Sequence, residues 1–452
     1  MGHASRLVLL LSDMNRVYIE TYGCQMNVAD TELMCGLLDR SGYSATKDPT
    51  EANVLLVNTC AVRDNAERRV IGRIGELKRY KRPGVVLGVV GCMAQRLGQQ
   101  LLDLVPQVDL VVGPDSYRAL PELIDRASQG GRASAVEFKS WEHYEDIPQQ
   151  RSDAVKAFVT VQRGCDYRCT FCIVPMTRGR ERSRRLCDII REVTGLAVEG
   201  ITEVTLLGQT VNSYHDGDHD FADLLRSVGE VAGIRRVRFT SPHPNDFTDR
   251  VVEAMAEVRS VCEHVHLPVQ SGSSRVLRRM GRRYDSGKYM ACVDRLRGAI
   301  PELAITTDII VGFPGETEED FGETESLVRE VEFDDAYTFK YSERAGTAAT
   351  RLMEGVPEAA KAERVQRIIT TVRQIAARKN MELVGSVREV LVEGIARRGE
   401  VLQTRTRTNK VVLVAGPTDW IGSYRTVRLT GTTGATFTGV QSAVGKELTI
   451  VG

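Results

Sequence analysis

Three cysteines lie within eight residues near the middle of the chain, in the spacing C-x3-C-x2-C, and they constrain the fold more than any other feature. They are Cys165, Cys169 and Cys172, and they follow a short apolar run. A structural zinc site usually closes with a fourth Cys or His at short spacing, and none follows nearby. Three thiolates leave one iron of a [4Fe-4S] cube open to a ligand that is not protein. The spacing therefore favours an iron–sulfur cluster over a zinc site or unrelated buried thiols.

The length and composition indicate a reduced protein of several domains. A chain of 452 residues exceeds what one hydrophobic core organises, so two or three domains are expected. Ten cysteines are too sparse for a disulfide scaffold, and the apolar run at residues 7–11 is too short for a signal sequence. We therefore predict a cytoplasmic protein without a membrane segment. The net charge of zero does not argue against nucleic acid, because binding depends on how charge is clustered.

The first part of the chain alternates strand-like and helix-like segments, which predicts a parallel sheet with helices on both faces. The candidate strands are residues 17–21, 53–57 and 85–90. Cys24, Cys60 and Cys92 each follow one of these strands, at the edge where open α/β sheets bind ligands. Glycines before Cys24 and Cys92 allow a tight turn or a close approach to a ligand.

Separate burial of three small residues is the alternative explanation for this second set of thiols. Free cysteine is commonly buried, and for each thiol alone that explanation would be preferred. Their equivalent positions favour one shared site, again with three thiolates and one open iron. A disulfide with one thiol left over is disfavoured in a reducing compartment.

The central part of the chain repeats a strand–helix pattern, which predicts a full or partial parallel barrel with its site at the carboxyl ends of the strands. The candidate strands are residues 157–161, 203–207, 236–240, 264–267, 304–307 and 337–341. Between residues 127 and 152 the pattern dissolves, which indicates an interdomain connection. The histidines near strand ends are predicted to be structural hydrogen-bonding residues: His243, His264 and His266.

The thiol motif, its aromatic residue and this repeated pattern resemble the radical S-adenosylmethionine (SAM) superfamily. The resemblance implies a six-strand partial barrel in which Cys165, Cys169 and Cys172 hold a [4Fe-4S] cluster. In that family the open iron binds SAM, which is cleaved to a 5′-deoxyadenosyl radical. The resemblance also places four residues near SAM: Phe171, Gly208, Gln209 and Gly312. For Gly312 an ordinary turn is an equal alternative, and Thr317 is predicted to cap the helix that follows.

Three segments of the first domain resemble the methylthiotransferase family: residues 21–27, 58–60 and 91–95. The resemblance implies an auxiliary [4Fe-4S] cluster held by Cys24, Cys60 and Cys92. It extends through essentially the whole chain after the first fifteen or so residues. Ser271 stands where members that modify a ribosomal protein generally carry His, which favours a tRNA substrate. Thr210 stands where the family pattern predicts Asn, and we expect it not to touch a cluster ligand.

Basic residues in two places predict contact with RNA. Arg178 and Arg180 lie in an arginine-rich run soon after the thiol loop, where guanidinium groups suit phosphates. Near the C-terminus the composition changes to β-formers, Thr and Gly, which predicts a small antiparallel barrel. Arg405 and Arg407 share one face of a strand there, and with Lys410 they resemble the TRAM domain that ends this family. Solvated charges on an edge strand are the alternative.

Together these features predict an α/β fold in three domains. They are an N-terminal parallel-sheet domain at 16–130, a central partial radical SAM barrel at 151–380 and a C-terminal small antiparallel β-barrel of the TRAM type at 382–450. The resemblance implies an enzyme that adds a methylthio group to C2 of N6-isopentenyladenosine beside the tRNA anticodon. It implies two [4Fe-4S] clusters and SAM as cofactors. The expected partners are the tRNA anticodon stem-loop and an electron donor such as flavodoxin or ferredoxin, with the enzyme acting as a monomer.

Three alternatives stay open on the sequence alone. The nearest is a methylthiotransferase that acts on threonylcarbamoyladenosine in tRNA or on a ribosomal protein. A second is a radical SAM enzyme with a cobalamin-binding N-terminal domain, although the Asp-x-His-x-x-Gly loop typical of that domain is not evident. A third is a noncatalytic RNA-binding scaffold with zinc-filled thiols. The four cysteines outside the motifs are predicted to be packing residues: Cys35, Cys187, Cys262 and Cys292.

Overall fold

The structure is a computed structural model that describes residues 15–61, 64–397 and 399–442, with the backbone alone for residues 64–68. The apolar run at residues 7–11 and residues 443–450 of the predicted C-terminal domain lie outside this part. The chain divides into two compact units, of which the first runs to Ser152 and also includes Met176–Gly179. The second comprises Asp153–Pro175 and the chain from Arg180 onward. Across the described residues, no helix has the length and apolar character needed to cross a membrane.

A six-stranded parallel sheet forms the centre of the first unit. Its strands are β1 (Asn15–Tyr22), β2 (Tyr43–Ala45), β3 (Val54–Thr59), β4 (Val86–Gly91), β5 (Leu110–Val112) and β6 (Ala133–Ala135). Its helices are α1 (Gln25–Arg40), α2 (Asp64–Leu77), α3 (Cys92–Leu97), α4 (Gln99–Leu104) and α5 (Leu120–Ser128). The strand order is β2-β1-β3-β4-β5-β6, so the three strands followed by the N-terminal thiols are direct neighbours.

Helices cover both faces of this sheet, as the alternating pattern predicts. β3 and β4 are buried along their whole length, because successive side chains point to opposite faces and both faces are covered. Leu56 packs in one hydrophobic cluster with Leu33 of α1. Its neighbour Leu55 packs in the other cluster with Ile74 of α2.

The sheet extends further than the sequence predicts. The pattern indicates a connection at residues 127–152, but α5 continues to Ser128 and β6 lies inside that segment as the sixth strand. Three residues are too short for a visible alternation of apolar and polar side chains. The strand forms because β5 offers it a parallel partner, which local sequence does not reveal.

The strands that follow in the chain are β7 (Lys156–Thr160), β8 (Gln162–Arg163), β9 (Arg182–Ser183), β10 (Glu203–Leu207), β11 (His215–Asp216), β12 (His219–Asp220), β13 (Arg236–Phe239), β14 (His264–His266), β15 (Ala304–Val311), β16 (Asp335–Lys340), β17 (Val387–Ile395), β18 (Leu402–Thr406), β19 (Val411–Val414), β20 (Tyr424–Thr432) and β21 (Phe437–Gln441). The helices are α6 (Val174–Arg178), α7 (Leu186–Val198), α8 (Phe221–Gly229), α9 (Asp249–Glu257), α10 (Ser274–Arg279), α11 (Ser286–Ala299), α12 (Glu318–Val331) and α13 (Glu358–Glu382). Short 3-10 turns occupy Lys78–Tyr80, Tyr117–Ala119, Val211–Ser213, Pro244–Asp246, Ala348–Arg351 and Thr418–Trp420.

Six parallel strands form the partial barrel of the second unit. β7, β10 and β13 pair in one group, and β14, β15 and β16 pair in another. Val237 of β13 joins the two groups, since its N–H donates to the carbonyl of Ser260 at 2.7 Å and its carbonyl accepts from the N–H of Cys262 at 3.0 Å. The strands therefore follow one another in chain order, and the predicted six-strand partial barrel is confirmed.

A closed five-stranded barrel ends the described chain, in the order β17-β18-β19-β21-β20. Val390, Val412, Leu429 and Phe437 fill its interior. Four of its strand pairings are antiparallel, but β19 and β21 run parallel, so the predicted all-antiparallel pairing is wrong at this seam. Alternating residues predict strands, whereas the direction of a pairing depends on the path of the connecting chain.

Candidate iron–sulfur sites

The first three thiols lie together at the carboxyl edge of the sheet in the first unit. Cys24 follows β1 and is the N-cap of α1, Cys60 follows β3, and Cys92 follows β4 as the first residue of α3. The thiols of Cys24 and Cys60 are joined by a hydrogen bond. Cys60 and Cys92 are buried, whereas Cys24 is exposed. Adjacent parallel strands thus bring three cysteines from distant parts of the sequence to one place.

Two glycines and two asparagines hold these strand ends close together. Gly91 has a φ of 92°, and a Cβ there would lie 2.5 Å from Oδ1 of Asn58. A Cβ at Gly23 would lie 2.3 Å from Oδ1 of Asn27. Nδ2 of Asn27 donates to Oδ1 of Asn58 at 3.1 Å, and Nδ2 of Asn58 donates to the carbonyl of Asn27 at 2.8 Å. The glycines are required here because any side chain would displace this amide pair.

A buried arginine of the first unit contacts the third of these thiols. Nε of Arg178 donates to Sγ of Cys92 at 3.1 Å, and its Nη2 lies 2.7 Å from Oδ2 of Asp30. The side chains of Arg178 and Asp30 are 4% and 0% exposed, so the ion pair compensates two buried charges. The prediction that Arg178 contacts RNA is therefore wrong, because an enclosed guanidinium presents no surface to a phosphate.

The same contacts favour the thiolate form at Cys24. Its hydrogen bond with Cys60 and the charge of Arg178 outweigh the desolvation of the thiol by surrounding protein atoms and lower the pKa of Cys24 to about 6. Burial raises the pKa of Cys92, and the charge of Arg178 opposes that rise. Because the thiolate is the form that binds metal, a cation among these thiols suits a metal site.

The second three thiols lie in the loop that follows β8, which we call the thiol loop (residues 164–173). Sγ of Cys165 lies 3.1 Å from Oγ1 of Thr210, and the N–H of Cys172 donates to the carbonyl of Cys169 at 3.0 Å. Burial, with the nearby thiol of Cys169, raises the pKa of Cys172 to about 12. The expectation that Thr210 does not touch a candidate ligand is wrong, since its hydroxyl contacts the first thiol.

Gln162 holds the thiol loop against the end of β10, and the sequence alone does not single it out. Its Oε1 accepts from the N–H groups of Gln209 at 2.8 Å and Thr210 at 3.3 Å, while its Nε2 donates to the carbonyl of Gly164 at 2.8 Å. A Cβ at Gly208 would lie 2.7 Å from this Oε1. The one feature of the sequence that could have identified Gln162 is that it is a polar residue at the end of an apolar strand.

The residues predicted to lie near SAM are at carboxyl ends of barrel strands or in the thiol loop. Gly208 and Gln209 follow β10, and Phe171 packs against the hydrophobic cluster that contains Phe313. Gly312 follows β15 with a φ of 70°, and a Cβ there would lie 2.3 Å from Cγ of Lys361. Gly312 thus has a packing explanation of its own, and SAM contact by these residues stays a prediction. Thr317 caps α12 as predicted.

Arg282 also contacts a thiol, and no motif in the sequence identifies it. Its Nη1 donates to Sγ of Cys169 at 3.3 Å, its Nε to the hydroxyl of Tyr284 at 3.0 Å and its Nη2 to the carbonyl of Pro268 at 3.4 Å. Burial disfavours its charge, but Tyr284 and Cys169 hold the pKa of Arg282 above its ordinary value. No carboxylate pairs with Arg282 anywhere in the described part of the chain.

The remaining histidines and cysteines mostly have structural surroundings. Burial, with the charges of Arg282 and Arg283, lowers the pKa of His243 to about 2, and its ring stacks on Tyr167 at 3.8 Å. Nε2 of His264 and Nδ1 of His266 lie within hydrogen-bond distance of the same threonine hydroxyl. Two of the remaining cysteines are buried and one is intermediate, but Cys187 is exposed, so its predicted packing role is wrong.

The basic residues predicted on the C-terminal barrel form ion pairs, each with an N···O distance of 2.7 Å. The pairs are Arg405 with Glu393, Arg407 with Glu263 and Lys410 with Asp334. Glu263 and Asp334 stand immediately before β14 and β16, at the amino ends of partial-barrel strands. The pairs of Arg407 and Lys410 dock the C-terminal barrel on the partial barrel, whereas Arg405 and Glu393 both belong to the C-terminal barrel, and Glu393 reaches the partial barrel through Lys156 of β7 at 2.7 Å. The charges of these three residues are thus engaged within the protein, and their contact with RNA stays a prediction. Arg180 is 85% exposed and pairs with Asp166, so its RNA contact stays a prediction.

Arginines of the partial barrel complete this docking. Nη1 of Arg236 donates to the carbonyl of Arg405 at 2.8 Å, and Nη1 of Arg238 donates to the carbonyl of Arg407 at 2.9 Å. Nε of Arg238 also donates to Oε1 of Glu203 at 3.1 Å. Such a network satisfies buried charges that would otherwise be costly.

The donor chemistry of the two thiol sets fits clusters better than a single ion. Within the described residues, no three His, Cys, Asp or Glu side chains converge as one metal ion requires. In a [4Fe-4S] cube each thiolate binds a different iron, so the sulfurs stay apart. Hydrogen bonds to the sulfurs, as from Arg178 and Arg282, are a feature that tunes such clusters.

Comparison with known proteins agrees with the partial barrel and its thiol loop. Residues 16–113 match the uncharacterized protein family UPF0004, and residues 159–328 match the radical SAM superfamily. The radical SAM methyltransferase TsrM from Kitasatospora setae has a TM-score of 0.54 at 14% identity, over 72% of this chain and 75% of its own. The cobalamin-dependent SAM radical enzyme OxsB has a TM-score of 0.54 at 10% identity, over 80% and 58%. These likenesses show the fold alone, whereas the match of residues 159–328, which include the thiol loop, defines a radical SAM protein.

Sequence relatives identify the family within that class. The tRNA-2-methylthio-N(6)-dimethylallyladenosine synthase of Caldicellulosiruptor saccharolyticus is 47% identical, over 92% of this chain and 90% of its own. The protein of the same name from Bacillus subtilis (strain 168) is 46% identical, over 93% and 84%. The chain belongs to the family of these synthases.

Proposed function

We propose that this protein adds a methylthio group to C2 of N6-isopentenyladenosine next to the anticodon of tRNA. The observation that carries the proposal is the group of three thiols at the sheet edge, Cys24, Cys60 and Cys92. A radical SAM protein needs one cluster to cleave SAM, and a further three-thiol site beside Arg178 offers a place for sulfur. The printed name of the relatives supports the same substrate.

Two cofactor sites follow from this proposal. Proteins of this family use two [4Fe-4S] clusters and SAM. We assign the auxiliary cluster to Cys24, Cys60 and Cys92, and the SAM-binding cluster to Cys165, Cys169 and Cys172. When bound, these groups supply the one-electron chemistry that an unactivated aromatic C–H bond requires.

The chain's own side chains prepare these sites. Gln162 and Thr210 fix the thiol loop against β10, so the sulfurs are presented at the carboxyl ends of the barrel strands. Arg178 and Arg282 each donate a hydrogen bond to one thiol and place positive charge beside it. The target base must leave its stack to react, and a single-stranded loop makes that inexpensive.

The finer parts of the proposal concern domains and partners. Residues 16–130 would hold the auxiliary cluster and 151–380 would carry the radical chemistry, while 382–450 would include the docked barrel. The chemistry consumes an electron, so a low-potential donor such as flavodoxin or ferredoxin is proposed. We further propose that the protein acts as a monomer in the cytoplasm, where its tRNA substrate is made.

Anaerobic turnover tests the proposed substrate. Reconstituted protein is incubated with isopentenylated tRNA that lacks the methylthio group, SAM and a reductant, and the nucleosides are analysed by mass spectrometry. Conversion of isopentenyladenosine to its methylthio derivative is expected, with Cys187→Ala as a matched variant that retains the conversion. Unchanged isopentenyladenosine, with methylthiolation of threonylcarbamoyladenosine or of a ribosomal protein instead, would contradict the proposal. Cobalamin absorbance in the purified protein would support the cobalamin-dependent alternative.

A further inference from the structure

Two segments of the second unit lie against the thiol loop. The N–H of Thr170 in the loop donates to the carbonyl of Met280 at 2.8 Å. The N–H of Ala349 donates in turn to the carbonyl of Thr170 at 2.8 Å. The backbone after α10 and the 3-10 turn Ala348–Arg351 therefore flank the loop that carries the second set of thiols.

Each of these three segments presents exposed arginine to solvent, and we call the set the arginine rim. Its members are Arg168, Arg278, Arg283 and Arg351. None of them forms an ion pair within the residues that the structure describes. Arg283 lies over the ring of Tyr167, with 5.4 Å from Cζ to the ring centroid. This contact holds the guanidinium near the loop, where Asp246 interacts with its charge without forming an ion pair.

Three acidic residues close to the rim are already engaged by other groups. Each of the three contacts has an acceptor oxygen within 3.0 Å of its donor: Asp166 with Arg180, Asp246 with the hydroxyl of Tyr167, and Glu354 with Arg279. The rim is therefore a local excess of positive charge on a protein whose net charge is zero. A cluster of unpaired guanidinium groups at the edge of a cleft attracts anions.

The basic residues predicted on the C-terminal barrel do not compete for this role. Arg405, Arg407 and Lys410 are held in ion pairs by Glu393, Glu263 and Asp334. Binding a phosphate with those residues would break these pairs, of which those of Arg407 and Lys410 join the two barrels. Binding a phosphate at the rim breaks no ion pair, because none of its arginines forms one within the described residues.

We propose that the arginine rim binds the backbone phosphates of the tRNA anticodon loop on either side of the modified nucleotide. The inference rests on the proposed function and names the surface that holds its substrate. The planar fork of arginine suits phosphate oxygens, and phosphate contacts set the position of a nucleic acid without reading its sequence. A nucleotide that enters the barrel mouth carries its two flanking phosphates over the residues around the thiol loop.

Salt dependence of binding tests this surface directly. Binding of a fluorescent isopentenylated anticodon stem-loop to the reconstituted protein is measured by anisotropy at several salt concentrations. Two double variants divide the rim, Arg168→Gln with Arg283→Gln and Arg278→Gln with Arg351→Gln. Each lost contact should reduce the slope of log K against log salt by about 0.7, which is about fivefold in affinity at about 0.1 M salt. Iron content and thermal unfolding establish that each variant is folded and loaded.

The matched control removes the same charge from exposed arginines of the C-terminal barrel, with Arg397→Gln and Arg428→Gln. Its slope should equal that of the unaltered protein. The assignment of the rim would be overturned if both rim variants kept the unaltered slope, or if the control variant lost as much slope as they do. The proposed function would stand in either case. Failure of the unaltered protein to bind the stem-loop would overturn both proposals. Loss of binding to a ribosomal-protein peptide, with stem-loop binding unchanged, would assign the rim to a protein partner and refute the RNA assignment.

Discussion

Arg282 donates a hydrogen bond from Nη1 to Sγ of Cys169 across 3.3 Å, and no described carboxylate shares that guanidinium. Arg178 contacts Cys92 in the same manner at 3.1 Å, but its charge is balanced by Asp30. Each set of thiols thus has one arginine that donates a hydrogen bond to a sulfur. The two arginines differ because a carboxylate balances the charge of Arg178 and none pairs with Arg282. The difference matters because hydrogen bonds and net charge around the sulfurs set the reduction potential of a cluster.

Substitution of Arg282 should make the SAM-binding cluster harder to reduce. Arg282→Gln removes a positive charge and a strong donor from Cys169, so the midpoint potential should become more negative, and Arg282→Lys should restore part of the shift. The measurement is a redox titration followed by electron paramagnetic resonance, in a background that lacks Cys24, Cys60 and Cys92. Arg283→Gln, one residue along and exposed, should leave the potential unchanged. An unaltered potential in Arg282→Gln would show that the contact does not act on the cluster.

The two sets of thiols should separate two steps of the reaction. Cys165→Ala should abolish reductive cleavage of SAM, because it removes one of three thiolates from the SAM-binding site. Cys24→Ala should retain cleavage to 5′-deoxyadenosine and methionine but lose methylthio product. Chromatography of the small molecules and mass spectrometry of the nucleosides measure the two outcomes. Methylthio product formed by Cys24→Ala would refute this division.

Loss of Arg178 should destabilise the first unit. Arg178→Met leaves Asp30 buried without its cation, and breaking a buried pair from one side costs about 3–5 kcal/mol. Urea unfolding of the protein without cofactors measures the loss, and Arg178→Met with Asp30→Asn should recover part of it. Arg180→Met, which removes a solvent-exposed partner of Asp166, should unfold at the same urea concentration as the unaltered protein. Equal stability of the Arg178 and Arg180 variants would argue against a structural role for the buried pair.

The docking of the C-terminal barrel should depend on pH through Glu393. Burial raises its pKa, but Arg405 and Lys156 outweigh burial and lower the pKa of Glu393 to about 2, from an ordinary value of 4.5. A carboxyl whose pKa falls on folding stabilises the fold above its ordinary pKa, and the contribution disappears as the pH falls toward the folded value.

The corresponding variant has a defined pH profile. At neutral pH, Glu393→Gln should lose about 3 kcal/mol, because a tenfold change in proton affinity corresponds to about 1.4 kcal/mol. The difference in unfolding free energy between the variant and the unaltered protein should become smaller as the pH drops below 4.5. Thermal unfolding at several pH values measures it. Glu302→Gln, which removes an exposed partner of Arg388, is the matched control and should show little change. A stability difference that does not change with pH would show that the charge of Glu393 is not its cause.

Much of the fold follows from local patterns in the chain. The period of the strands and helices predicts the parallel sheet and the six-strand barrel, because side-chain alternation is a short-range property. Strand β6 and the parallel pairing of β19 with β21 are exceptions, since both depend on a partner strand supplied from elsewhere. The same limit applies to Thr210, whose contact with Cys165 joins residues 45 positions apart.

The sequence by itself determined the two sets of thiols and their places at strand ends, because spacing within a loop and the common edge of parallel strands are local or topological facts. Only the tertiary structure decided what the charged residues do. Arg178 lies in a basic run yet is buried against Asp30, and Arg407 pairs with Glu263 across 144 positions of the chain. An arginine has the same charge whether it meets a phosphate or a carboxylate. Which of them it meets depends on distances in space, and these exist only once the chain is folded.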